Sequence, residues 1–238
     1  MMRVLGIDTA TAVGALGIID GSHTIHEKSM LVRPGGAEKF PSLIQQALRE
    51  IGWVPKNIDL IAVGQGPGSY TGVRVGMTIA KGMAYSLSVP LVSVSTLYVL
   101  AANAATRPGL ICPMLESRRE EVYAALYFRQ ETSVTEVLPP GAWLAKEFCA
   151  SLREERKDTP ILFLGEGAVA YQEMILNLLG AQAVFGEEEE NLINGATLAR
   201  LALAYWEETG EDDLYSCQPL YLKRTEAEVL WAKRRGGL

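Results

Sequence analysis

The chain has 238 residues, with 28 acidic against 22 basic side chains and a formal charge of −6 at pH 7, which excludes a protein that grips nucleic acid over its whole surface. A content of 48% hydrophobic against 21% charged residues excludes collagenous and wholly disordered classes. Cys112, Cys149 and Cys217 are scattered, without a CxxC pair, which excludes a secreted disulfide framework and makes the cytoplasm the expected compartment.

In chain order, residues 2–8 and 13–19 read as strands separated by a turn from Asp8 to Ala12, and Asp20-Gly21 is a hairpin signal leading to a third strand at 24–32. After Pro34-Gly35-Gly36, the apolar residues Ala37, Phe40, Ile44, Ala47, Leu48 and Ile51 recur at helical spacing, with Pro41 confined to the first turn. A buried strand at 58–63 leads into GQGPGSYTG at 64–72 and a helix to Leu87, followed by a strand at 90–94 and a helix at 95–105. Arg107-Pro108-Gly109 breaks the chain, dividing it into lobes 1–106 and 107–238. The second half restarts with strands at 110–115, 122–128 and 134–138. A helix at 142–153, a strand at 161–164 and helices at 169–179 and 195–208 follow. Each half runs strands first and then alternating helices, as an α/β protein of two related lobes would. No segment approaches the roughly 18 apolar residues of a membrane helix, and MMRVLGIDTA opens on a strand-like run, so neither a membrane span nor a signal peptide is expected.

The Gly-rich loop lies where backbone N–H groups and a helix dipole can hold a phosphate. Gly66, Gly68 and Gly72 would permit close approach, Ser69 and Thr71 would add hydroxyls, and Asp8 with Thr9 would face the same cleft. The pattern is neither a Walker A loop nor GxGxxG, and two readings stay open: an ATP or ADP remnant, or a tight turn packed on its own fold. Gly72, Gly76, Ala80 and Ala84 form a stripe of small residues, which fits either the chain's own sheet or a helix of another chain. His23 and His26, three apart on a strand, are expected on opposite faces, so no metal site is expected. Glu187–Glu190 and the basic Lys223, Arg224, Lys233, Arg234 and Arg235 read as solvated segments or, for the tail, a partner or tRNA contact.

Taken together, LGIDTAT at 5–11, GQGPGSYTGVRVG at 64–76, VSVSTL at 92–97, ESRREEVYAALY at 116–127 and PLYLKR at 219–224 resemble the TsaB (YeaZ) family. The resemblance implies the ASKHA fold of actin-like ATPases and sugar kinases, two lobes each with a mixed sheet and flanking helices. It also implies a non-catalytic subunit for threonylcarbamoyladenosine in tRNA, paired with the catalytic TsaD, joined by the ATPase TsaE, and forming a homodimer when alone. The family's pairing bundle corresponds to residues 37–51 and 72–87, which puts Phe40, Ile44, Ala47, Gly72, Gly76, Ala80, Met83 and Ala84 at a partner interface. Asp8, Thr9, Gly66, Gly68, Ser69, Thr71 and Gly72 become a vestigial nucleotide or anion site, and the tail is expected to pack back on the first lobe. The paired-histidine metal motif of TsaD-like proteins is replaced by Leu97, Tyr98, Val99 and Leu100. The DARMGEVY form of the second-lobe loop is replaced by Glu116 to Glu121, and a histidine before the pairing helix by Gly36. An ASKHA-type ATPase or phosphotransferase is the alternative, and a peptidase, lacking metal ligands and a nucleophile with its base, stands behind both.

Overall fold

The computed structural model describes residues 1–32, 36–104, 107–131 and 133–223. The first sheet begins with β1 (Arg3–Asp8), paired antiparallel with β2 (Val13–Asp20), which pairs antiparallel with β3 (His23–Leu31). Helix α1 (Phe40–Glu50) leads to β4 (Leu60–Gly64), laid parallel to β1, and α2 (Tyr70–Leu87) leads to β5 (Leu91–Val94), parallel to β4. The strand order is β3-β2-β1-β4-β5.

After α3 (Thr96–Asn103), strands β6 (Gly109–Glu116), β7 (Glu121–Gln130) and β8 (Ser133–Leu144) form an antiparallel meander. Helix α4 (Ala145–Glu155) carries the chain to β9 (Ile161–Leu164), parallel to β6. Helices α5 (Glu166–Ala170) and α6 (Gln172–Leu179) carry it to β10 (Ala183–Phe185), parallel to β9, and α7 (Gly195–Thr209) follows. The order β8-β7-β6-β9-β10 repeats the first sheet strand for strand. The two lobes are therefore structurally related.

Strand alternation sorts the apolar residues into layers. Leu5, Ile7, Leu16 and Ile18 face α1 and α2 in one core; Leu110, Cys112, Ile161 and Phe163 face α4, α5 and α6 in another. Between the sheets, Val4, Ala62 and Val92 meet Ile111, Ala125 and Leu162 through α3 and α7. The two central helices cross over: α3 packs on β6, β7 and β8, while α7 packs across the first sheet. The backbones of α7 and β2 touch so closely that a Cβ on Gly17 would lie 2.1 Å from Ala196 N. A cut at residue 106 would separate the sheets yet divide one shared core.

Several elements differ from the sequence reading. β8 continues through Pro139 and Pro140 to Leu144, where a helix is expected from residue 142; an edge strand tolerates proline because one side of its backbone has no ladder partner. The expected helix at 169–179 is broken at Tyr171, and β10 is an additional edge strand. A register shift pairs Ile18 with His26 and Ile19 with Thr24, so Ile25 is extra and strict alternation fails. His23, opposite Asp20, and His26, opposite Ile18, consequently share a face instead of opposing each other. Among the described residues no group of His, Cys, Asp or Glu is placed to hold a metal, and no helix is long and apolar enough to cross a membrane. Pro34, Gly35, Ala105, Arg224, Lys233, Arg234 and Arg235 lie outside the described residues.

Candidate functional site

The Gly-rich loop joins the end of β4 to the start of α2, with Ser69 as the N-cap accepting from Gly72 N at 3.3 Å. Four more amides of the loop and the first turn of α2 also turn inward. Gln65 N donates to Val94 O at 2.9 Å, Gly66 N to Thr96 Oγ1 at 3.2 Å, Ser69 N to Ala10 O at 2.7 Å, and Val73 N to Ser69 O at 2.9 Å. A Cβ on Gly68 would lie 2.3 Å from Ala10 O, so the loop is pressed onto the turn between β1 and β2. An anion cradle needs N–H groups aimed outward, and these five are spent on the fold itself.

Asp8 is 1% exposed. Its Oδ1 accepts from Ala10 N and its Oδ2 from Thr96 Oγ1, each at 2.7 Å. Burial pushes its pKa up to about 6, against the opposing pull of the Ala10 and Thr96 hydrogen bonds. Thr9 Oγ1 donates to Gly72 O at 2.7 Å. Asp8, Thr9, Gly66, Ser69 and Gly72 thus form one hydrogen-bonded unit with Gly68 pressed against it, whereas Thr71 is exposed on the outer side of α2 beside Arg74, Val75 and Thr78.

Two features of the cleft escape a reading of the loop alone. Glu166, the first residue of α5, lies beside the Ala12 backbone of the first lobe and the Glu116 backbone of the second; burial, then the charge of Glu116, raises its pKa against the pull of those two backbone groups. The segment 217–223 also returns across the loop, with Leu220 N donating to Gln65 O at 2.7 Å. A cavity of about 360 Å³ lies between this segment, the loop and the β6–β7 hairpin, lined by Pro67, Tyr70, Arg118, Tyr123, Tyr221 and Lys223. PLYLKR was the visible sequence signal for that segment; nothing local marked Glu166.

The two outer helices carry the remaining expected residues, but on their inner side. Phe40, Ile44, Ala47, Ala80 and Ala84 are buried in the core beneath α1 and α2, with Met83 packed at its edge. A Cβ on Gly72 would lie 2.1 Å from Thr9 O, and one on Gly76 would lie 2.4 Å from Thr9 Oγ1. The small-residue stripe is therefore required by the chain's own sheet, which corrects its assignment to another chain. Only Ile44 and Met83 also reach the outer groove between the helices, about 650 Å³ in volume, together with Pro41, Gln45, Thr78 and Gly82. A Cβ on Gly82 would meet nothing within 4 Å.

Two sheets of matching topology, cleft turns at Asp8–Ala12 and Ser117–Glu120, and helices exchanged between the lobes define an ASKHA-fold protein. The solved structures agree. YeaZ from Pseudomonas aeruginosa superposes with a TM-score of 0.76 at 22% identity, covering 93% of this chain and 100% of that one. The ROK hexokinase from Thermus thermophilus superposes with a TM-score of 0.51 at 13% identity, covering 87% and 100%. A family model described as TsaD, tRNA N6-adenosine threonylcarbamoyltransferase, matches residues 35–231. The chain is 32% identical over 230 residues to the tRNA threonylcarbamoyladenosine biosynthesis protein TsaB of Bacillus subtilis, spanning 97% of this chain and 98% of that protein. The chain belongs to the TsaB family, within the wider group that the TsaD model describes.

Proposed function

We propose that this chain serves threonylcarbamoyladenosine formation in tRNA as a non-catalytic subunit that docks a TsaD protein on the outer face of α1 and α2. Gly82 carries the reading. A glycine inside a helix costs about 1 kcal/mol relative to alanine. At Gly72 and Gly76 the chain's own packing demands it, but Gly82 lines the outer groove over open space. A second helix laid in that groove would supply the reason for a missing side chain, since small residues let backbones approach.

Kinship with the family points to TsaD as the occupant, and the same face would pair two copies of this chain when TsaD is absent. TsaE would join the assembled pair, and tRNA would be reached through the complex. The cleft supports a supporting role, because Asp8 and the amides of Gln65, Gly66, Ser69 and Gly72 are already bonded within the fold. Depleting the chain from its native cell and quantifying the modified nucleoside by mass spectrometry of digested tRNA tests the reading. Loss of the nucleoside, restored by the intact chain, is expected; an unchanged level would refute it.

A further inference from the structure

We propose that residues 217–223 are a built-in clasp that holds the two lobes in a fixed closed relation, as a bound ligand does in proteins whose lobes hinge around a cleft. The inference concerns lobe geometry and does not rest on the docking of TsaD.

The segment is fastened first to the first lobe. Cys217 Sγ lies 3.7 Å from Met77 Sδ of α2, and Leu220 N donates to Gln65 O of the Gly-rich loop at 2.7 Å. Arg74 Nε then donates to Tyr221 Oη at 2.6 Å. The Tyr221 ring sits 5.6 Å from that of Tyr70, and the Arg74 guanidinium lies 3.8 Å from the Tyr70 ring centre. Two rings tilted against each other and a guanidinium restrain one another more firmly than an isolated surface contact would.

Two residues later the chain is bound to the second lobe. Lys223 Nζ donates to Ser117 Oγ at 3.1 Å and to the Glu121 carboxylate, with the Tyr123 ring centre 5.8 Å away. Ser117 and Glu121 belong to the β6–β7 hairpin, the second lobe's counterpart of the turn on which the Gly-rich loop rests. Tyr221 and Lys223 therefore grip opposite walls of the cleft. In a cleft where the amides of Gln65, Gly66, Ser69 and Gly72 are spent internally, closure by covalently attached residues replaces closure by a ligand.

The test is a distance between lobes. Spin labels are attached by ketone chemistry to p-acetylphenylalanine substituted for Lys56 and for Asn177, both exposed and on different lobes, in the full-length chain, which leaves Cys217 in place. The parent should give one narrow distance distribution by pulsed electron resonance. Adding Lys223→Glu should broaden it and shift weight to longer distances, and adding Glu121→Lys to that variant should restore the narrow distribution. A folded Lys223→Glu variant with the parent distribution would overturn the clasp, as would a charge swap that fails to restore it. Tyr221→Ala serves as an independent variant should charge reversal prevent folding. It should broaden the same distribution, and an unchanged width would likewise overturn the clasp.

Discussion

Replacing Gly82 separates folding from docking with one residue. The added Cβ meets nothing within 4 Å, so alanine or arginine there introduces no clash inside the chain. Exchange of a helical glycine for either residue gains close to the full helix-propensity difference, about 0.8–1 kcal/mol. For a chain of this size that raises the thermal midpoint by about 2–4 °C. In the outer groove the outcome reverses. An arginine there would hold Pro41, Ile44 and Met83 apart from an incoming helix or bury an unpaired charge at the seam. A cost of about 3 kcal/mol is expected, which is a loss of at least about 100-fold in affinity. Differential scanning calorimetry of Gly82→Ala and Gly82→Arg, with isothermal titration of each into TsaD, reads both effects. Undiminished affinity of Gly82→Arg would refute the assignment of this face. A lowered midpoint for Gly82→Ala would refute the claim that Gly82 has no internal role.

Gly76→Ala should act oppositely, because its Cβ would lie 2.4 Å from Thr9 Oγ1; a loss of about 1–3 kcal/mol in denaturant titration is expected. Phe40→Ala, which empties a fully buried site beneath α1, should cost about 3–5 kcal/mol in the same experiment. Asp8 has its folded pKa raised to about 6 from 3.8, so the fold disfavours its charged form above pH 6 and that penalty is relieved as the pH falls toward 4. Between pH 7 and pH 5 the parent should gain about 1 kcal/mol more stability than Asp8→Asn, and equal pH slopes would contradict this. Titration of ATP or ADP with and without magnesium should show no metal-dependent binding tighter than about millimolar, and micromolar affinity would revive the nucleotide reading.

The sequence made the helical period of α1, the alternation in β1 and β2, and the strand-loop-helix setting of the Gly-rich loop legible, because each depends on neighbours within a few residues. The stripe on α2 was legible as a stripe but not as to its facing, since small residues permit close approach equally by a sheet or by a foreign helix. Only the positions of Thr9 at Gly72 and Gly76, and the open space at Gly82, separate those cases. Asp8 and the glycines could be grouped from their spacing, yet whether the loop amides face an anion or the chain depends on Ala10, Val94 and Thr96, which come from three other segments. The clasp was least accessible. Residues 210–223 have no period, and the contacts of Tyr221 with Arg74 and of Lys223 with Ser117 span 147 and 106 positions. The crossing of α3 and α7 was hidden for a related reason: an Ala-rich helix buried between two sheets carries little amphipathic signal to say which sheet it covers.

The most direct test of the central claim is the mass of the species formed when the purified chain is mixed with its cognate TsaD, measured by size-exclusion chromatography with light scattering. A single peak at the summed mass of one copy of each is predicted for the parent and for Asp8→Asn, with Gly82→Arg eluting apart from TsaD. Separate elution of the parent chain and TsaD would contradict the account.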